Sequence, residues 1–179
     1  MNGNLNKIVI GGGCFWCLEP IFKNLRGVEN VVVGYAGGRV NSPSYEQVCT
    51  GRTGHAEVIQ ISYAPDVLSL NGLLEVFFHV HDPTTLNRQG ADVGTQYRSI
   101  ILVQDDDEKE LVQRVVGEID QSDLWKNKIV TEVEVLERFY PAEDYHQNYF
   151  EKNPWAGYCQ VVINPKVKKF KDKFATLLK

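Results

Sequence analysis

The run Lys7-Ile8-Val9-Ile10-Gly11-Gly12-Gly13-Cys14 admits few continuations. A short, β-branched, strand-like stretch meets three glycines, which turn a backbone at the least steric cost. The pattern then predicts a helix from Cys14 to about Leu25, closed by Gly27. A strand that turns straight into a helix begins a β-α unit, so helices must cover at least one face of the sheet. The junction also has chemical weight. The first amides of a helix lack internal partners and its dipole is positive there. The spacing therefore predicts a Cys14 thiol with a pKa below that of a free cysteine. Phe15 and Trp16 place two large apolar rings where a solvent-facing first turn carries polar groups. A methyl on sulfur fits such a floor. An isolated cysteine is more often an inert buried hydrophobe. The glycine turn, the helix start and Cys17, three residues on and on the same helix face, argue here for reactivity.

Along the rest of the chain, valine-rich Glu29–Tyr35 and alternating Ala56–Tyr63 read as strands, joined by a polar, Gly-rich loop over 37–54. Ser69 caps a helix to about His81 with Leu70, Leu73, Leu74 and Phe77 at helical spacing. A loop spans 82–94, a strand Tyr97–Gln104, an acidic-headed helix Asp105–Ile119 and a strand Ile129–Leu136. Pro141 is expected to open a helix through Asn148, and a last helix covers about Pro165 to Leu178. The order strand-helix-strand-strand-helix-strand predicts an α+β, two-layer sandwich of split βαβ type. A doubly wound α/β fold is the alternative, and the helix-free connection from Val33 to Ile59 argues against it.

With 179 residues, 43% of them hydrophobic, and no linker or repeat, one domain over 1–179 is expected. The net charge of -4 and the absence of a basic block exclude a nucleic-acid footprint. No apolar run approaches the roughly 18 residues that span a bilayer, and the first residues carry no apolar signal-peptide core. The expected compartment is the cytoplasm, where Cys14, Cys17, Cys49 and Cys159 are poor candidates for structural disulfides.

Glu57 shares a strand face with Ile59, Ile61 and Tyr63. Desolvation there raises a carboxyl's pKa and makes it a proton donor near neutrality. A strand-end glutamate reaching solvent is the alternative, and periodicity leaves both open. Tyr45, Tyr97 and Asp92 carry no local signal above packing or turn roles. His79 and His81, two apart on a helix, do not share a face and read as core or boundary residues. One CxxC without a second pair makes no zinc site, and Gly11-Gly12-Gly13 lacks phosphate-loop spacing.

Taken together, several blocks resemble one family. Gly13-Cys14-Phe15-Trp16 followed by Glu19 resembles the active-site signature of the type A peptide methionine sulfoxide reductases. Gly54-His55-Ala56-Glu57, Asp82-Pro83-Thr84, Gly94-Thr95-Gln96-Tyr97-Arg98-Ser99 and Ala142-Glu143-Asp144-Tyr145-His146-Gln147 resemble later blocks in the same order. The resemblance implies a two-layer α+β fold with a ferredoxin-like core and reduction of methionine S-sulfoxide, free or in proteins, one epimer per enzyme class. It makes Cys14 the nucleophile, Phe15 and Trp16 the methyl pocket, and Glu57 the acid for the sulfoxide oxygen. Tyr45 and Tyr97 become hydrogen-bond donors to that oxygen, and Asp92 organises the polar side through water. The implied chemistry runs through a cysteine sulfenic acid and a disulfide reduced by thioredoxin, in a cytoplasmic monomer with no metal or cofactor. Two departures bear on the resolving thiol: Cys17 stands where many members have glycine, and one cysteine, Cys159, stands in the C-terminal Gly157-Tyr158-Cys159. Cys159 is expected to resolve. Cys17 competes, but a disulfide within one helical turn is distorted. Two other readings remain: a thiol–disulfide oxidoreductase using Cys14 and Cys17, which needs no Glu57, and a non-enzymatic thiol sensor.

Overall fold

A computed structural model describes residues 3–179. Strand β1 (Asn6–Gly11) leads into helix α1 (Phe15–Lys23), and β2 (Val28–Ala36) follows. The 37–54 connection holds a short helix, α2 (Tyr45–Cys49), which the sequence reading took as loop. Its signal stands in the chain: Ser44 accepts from the Gln47 amide while the Gln47 side chain accepts from the Ser44 amide, a closed capping box. Strand β3 (Ala56–Tyr63) has the expected bounds, and α3 (Leu70–Val80) begins at Ser69, whose hydroxyl accepts from the Gly72 amide at 3.1 Å. The 82–94 loop carries a two-residue hairpin, β4 (Arg88–Gln89) and β5 (Asp92–Val93).

Strand β6 (Ile100–Val103) is shorter than expected, and Tyr97 lies before it in a 3₁₀ turn over Thr95–Tyr97. Helix α4 (Asp106–Gln121) is capped by Asp105, with Asp106, Asp107 and Glu108 in its dipole-favoured first turn. Strand β7 (Glu132–Val135) then precedes β8 (Phe139–Pro141), where a helix was expected from Pro141. The proline closes an edge strand, one of the few sheet positions that does not need its missing amide. Helix α5 (Tyr149–Lys152) follows Asn148, which takes the left-handed conformation at φ 57°. A π-turn over Cys159–Ile163 runs into α6 (Asn164–Lys173).

The sheet order is β7-β6-β1-β3-β2-β8. Its four central strands are the ferredoxin-like arrangement: β1 pairs antiparallel with both β3 and β6, and β3 with β2. Only β6 and β7 run parallel, joined through α4. The alternation of β1 sends Ile8 and Ile10 to the main core with α1, α3, α4 and α6, while Val9 joins a small cluster with Ala56, Val58 and Leu102 on the other face. The two hydrophobic clusters are mainly aliphatic and aromatic, and Met1 is the only methionine in the sequence.

Candidate active site

Register places the acid. Glu57 lies opposite Tyr35 of β2, near the end of β1 from which the chain leaves for the thiol. A Cβ on Gly11 would stand 2.7 Å from the Glu57 carbonyl, so this backbone approach requires glycine. Gly13, at φ +89°, then turns the chain to Cys14. Glu57 follows its strand's alternation onto the helix-covered face and is 1% exposed. That removes the solvent-facing alternative. Its Oε1 accepts from the Phe15 amide at 3.3 Å, while its Oε2 is buried without a partner. Burial pushes the carboxyl up to about 8, aided by the nearby Asp92 charge and opposed by the Phe15 amide. It is therefore a protonated acid at neutral pH.

Cys14 is the N-cap of α1, with extended backbone at φ -67° and ψ 129°, and Cys17 is the third helical residue, its amide bonded to the Cys14 carbonyl at 3.0 Å. Two expectations change here. The Cys14 thiol sits well above, not below, the ordinary cysteine range, because burial outweighs the helix-end field, and the Cys17 and Glu57 neighbours add to the rise. Cys17 shifts the opposite way, lowered chiefly by its hydrogen bond with Cys14. Of the two thiols, Cys17 is the one whose ionisation is favoured. The objection to a Cys14–Cys17 bridge also lapses, since Cys14 stands outside the helical turn.

The aromatic floor is larger than Phe15 and Trp16. Trp16 stacks on Tyr149 with ring centroids 3.7 Å apart and planes at 7°, and its indole N–H donates to His146 Nδ1 at 3.1 Å. His146 is fully buried and lies 5.2 Å from Phe15 and 4.4 Å from Tyr45, centroid to centroid. Beneath α1, Glu19 is 2% exposed and accepts from the Asn148 amide at 2.9 Å, fixing the left-handed residue from which α5 and Tyr149 start. Glu143 accepts from the Tyr35 hydroxyl at 3.0 Å and from the Tyr45 amide at 3.1 Å. Among these residues, Tyr149 carries no sequence signal, and His146, Glu19 and Glu143 lie in motif blocks with no role readable from their neighbours.

Burial is the main cause that holds the Tyr45 and Tyr97 hydroxyls protonated. Asp92, on the hairpin, accepts from the Tyr158 hydroxyl at 2.9 Å. That hydroxyl also lies 3.6 Å from Cys17 Sγ. Phe15, Trp16, Tyr45, Glu57, Asp92 and Tyr97 therefore converge on Cys14. Cys159 stands one residue behind Tyr158, fully buried. Cys49 is exposed on α2.

The other motif residues hold this arrangement. His55 accepts from the Gly38 amide and bonds the Val40 carbonyl at 2.7 Å, pinning the 37–54 loop. Arg98 donates to the carbonyls of Gly54 and Thr95, both at 2.9 Å, and joins two motif blocks. His81 is buried between the Phe77 carbonyl and the Ser99 hydroxyl, and burial lowers it to about 4, so it is neutral. Among the described residues no group of three or more His, Cys, Asp or Glu is placed to hold a metal ion. Nor is any helix there long and apolar enough to cross a membrane. A cavity of about 680 Å³ opens on the opposite face of the sheet, lined by Arg39, Glu132, Glu134 and Arg138. It contains none of the residues that converge on Cys14.

Known proteins are similar to this chain in sequence and in fold. The chain is 53% identical over 174 residues to the peptide methionine sulfoxide reductase MsrA of Chromobacterium violaceum, covering 97% of this chain and 99% of that one. The crystal structure of Mxr1 from Saccharomyces cerevisiae in reduced form superposes with a TM-score of 0.81 at 40% identity, over 87% of this chain and 89% of that one. Mxr1 in complex with Trx2 superposes at 0.59 and 29% identity, over 83% and 89% of the two chains. A sequence profile described as peptide methionine sulfoxide reductase matches residues 6–178, and with that match over nearly its whole length the chain belongs to the peptide methionine sulfoxide reductase family.

Proposed function

We propose that the chain reduces methionine S-sulfoxide, free and in proteins, to methionine, with Cys14 as nucleophile and Glu57 as general acid. The observation that carries this reading is the buried, protonated Glu57 beside Cys14, with one carboxyl oxygen lacking any partner. A sulfoxide oxygen leaves only when protonated. Glu57 gives it a proton, Cys17 takes the proton of Cys14, and Cys14 Sγ attacks the substrate sulfur. Methionine departs and Cys14 is left as sulfenic acid. Phe15 and Trp16 hold the methyl, Tyr45 and Tyr97 donate to the oxygen, and Asp92 with Tyr158 forms the polar wall.

A second thiol closes the disulfide, and Cys159 is the expected resolving residue. Thioredoxin then reduces the enzyme by exchange. The neighbouring structure of Mxr1 with Trx2 supports that choice of reductant. The chain works as a cytoplasmic, single-domain monomer without metal or organic cofactor.

The test is dithiothreitol-dependent reduction of the separated sulfoxide epimers, followed by chiral chromatography. The S epimer is consumed. Exchanging methyl and oxygen strands polar donors against a methyl, at about 1–3 kcal/mol for each unsatisfied group. Equal consumption of both epimers contradicts the pocket assignment.

A further inference from the structure

The edge of the sheet that carries the reaction has a second side. Register puts the ends of β1 and β2 beside the starts of β3, β6 and β7, through the pairs Ala36–Ala56, Gly11–Ile100 and Ile100–Glu132. Cys14 and Glu57 occupy the helix-covered side of that edge. Also at that edge lies an open cavity of about 560 Å³, walled by the chain just after β2, just before β3 and just before β6. Its charged lining is Arg39, Arg52, Arg98 and Glu132. Arg98 is committed: it donates to the Gly54 and Thr95 carbonyls and pairs with Glu132 at 3.3 Å. That pair neutralises the one carboxylate in the wall. The other ion pairs among the described residues are Lys23–Glu151 and Lys109–Glu134, so Arg39 and Arg52, both exposed, have no acidic partner there. Two positive charges are left over in this wall, in a chain whose net charge is -4. The cavity is also close to the site along the chain. Gly54 stands three residues before Glu57, and Thr95 two before Tyr97. Three residues of strand cover about 10 Å.

We propose that this cavity is a specificity subsite for peptide substrates, in which Arg39 and Arg52 take the carboxylate of an acidic side chain about three positions from the oxidised methionine. The subsite rests on the reductase reading and deepens it. An extended peptide advances about 3.3 Å per residue, so three residues bridge the interval between the buried acid and the cavity. A guanidinium presents a planar fork of donors that matches a carboxylate. Lysine at the same substrate position meets like charge, and glutamine meets no charge partner. The contact is remote from the reacting atoms and equal in ground and transition states, so it lowers KM and leaves kcat alone. Both arginines also face water, which keeps the effect to a few-fold and makes it fall with salt. A free amino-acid sulfoxide is too short to reach them and gains nothing. Because the cavity lies on one flank of the thiol, the acidic residue counts on one side of the methionine only.

The experiment measures kcat and KM, with the whole chain and dithiothreitol, on short peptides that carry methionine S-sulfoxide at the centre. Each peptide has Glu, Gln or Lys three positions before or after the sulfoxide. In the wild type at low salt, Glu on one side should lower KM about fivefold relative to Gln, with kcat within about twofold, and Lys should raise KM. The preference should fall below about twofold in molar salt. It should fall equally in Arg39→Gln/Arg52→Gln, whose turnover of N-acetyl-methionine sulfoxide should match the wild type. Arg52→Glu should reverse the preference in favour of Lys. Equal KM for the Glu and Gln peptides on both sides overturns the subsite, as does a Glu preference that the double variant keeps. Loss of N-acetyl-methionine sulfoxide turnover in both variants also overturns it, since the arginines would then serve the fold and not the substrate. Failure of the reductase reading looks different: in the wild type, no peptide and no free sulfoxide yields methionine.

Discussion

Glu57 and Cys159 are buried to the same degree, yet they are held in contrasting ways. Glu57 belongs to β3, which is paired with β1 on one side and β2 on the other, and Gly11 and Phe15 close over it. Cys159 begins a π-turn beside Gly157, whose surroundings are open. A proton donor must keep its distance from one spot, and a central strand gives that constancy. A thiol that meets first the interior and then an external reductant has to travel, and regular pairing would hold it back. Burial alone does not separate the two groups. The backbone around each does.

Four substitutions put that contrast under load. Cys14→Ser should reduce sulfoxide turnover to background with thioredoxin or dithiothreitol, since a hydroxyl is not ionised near neutrality. Activity within tenfold of wild type rules out Cys14. Glu57→Gln keeps the shape but has no proton to give, and should slow single-turnover methionine release by about 10²–10⁴-fold. An unchanged rate would return Glu57 to a packing role. In the wild type the same step should fade as pH rises through about 8, where Glu57 loses its proton. Stability carries the same sign. The folded carboxyl binds its proton more tightly than the unfolded one, so this contribution is full below the ordinary carboxylate range and is lost as pH rises towards about 8. Glu57→Gln should therefore flatten the fall in Tm between pH 5 and 9, read by thermal melts.

The third substitution acts on the rigid side at one remove. Glu19→Ala strips the buried acceptor from the Asn148 amide and should cost about 1–3 kcal/mol in urea unfolding. It should also raise KM more than it lowers kcat, because Tyr149 loses its stacking position against Trp16. Equal stability in the mutant removes Glu19 from this scaffold. Gly157→Ala, beside the Cys159 turn, has open space and an allowed backbone. It should stabilise the fold by about 0.4–1 kcal/mol while slowing steady-state turnover more than the first methionine. Equal effects on both rates would show that the segment does not limit the cycle.

The sequence makes the central sheet legible because its strands carry their own pattern. Ala56–Tyr63 is an eight-residue run rich in β-branched residues, and the helix caps Ser69 and Asp105 announce the elements they start. The misread elements are those where one residue type serves two purposes. Pro141 suits a helix start as well as an edge strand, and only pairing with Gly34 decides between them. Within the site, the motif residues were readable, but their state was not. Helix-end position predicts a low Cys14 pKa, whereas burial among residues distant in sequence sets a high one. The Tyr149–Trp16 stack and the Tyr158–Cys17 contact each join residues more than 130 positions apart, which local pattern cannot show.

An interior built of leucine, isoleucine, valine, phenylalanine and tyrosine has one more consequence. Thioethers are the apolar groups that mild oxidants convert to polar ones, and a sulfoxide inside a packed core loosens it. With Met1 as the only methionine, the described residues contain none of the side chain that this family acts on. A burst of peroxide that multiplies the workload therefore finds no methionine in this fold's packing to oxidise, and the sulfur left to oxidise there is cysteine, where the sulfenic acid of Cys14 belongs to the proposed working cycle. The repairer does not need repairing by another copy of itself.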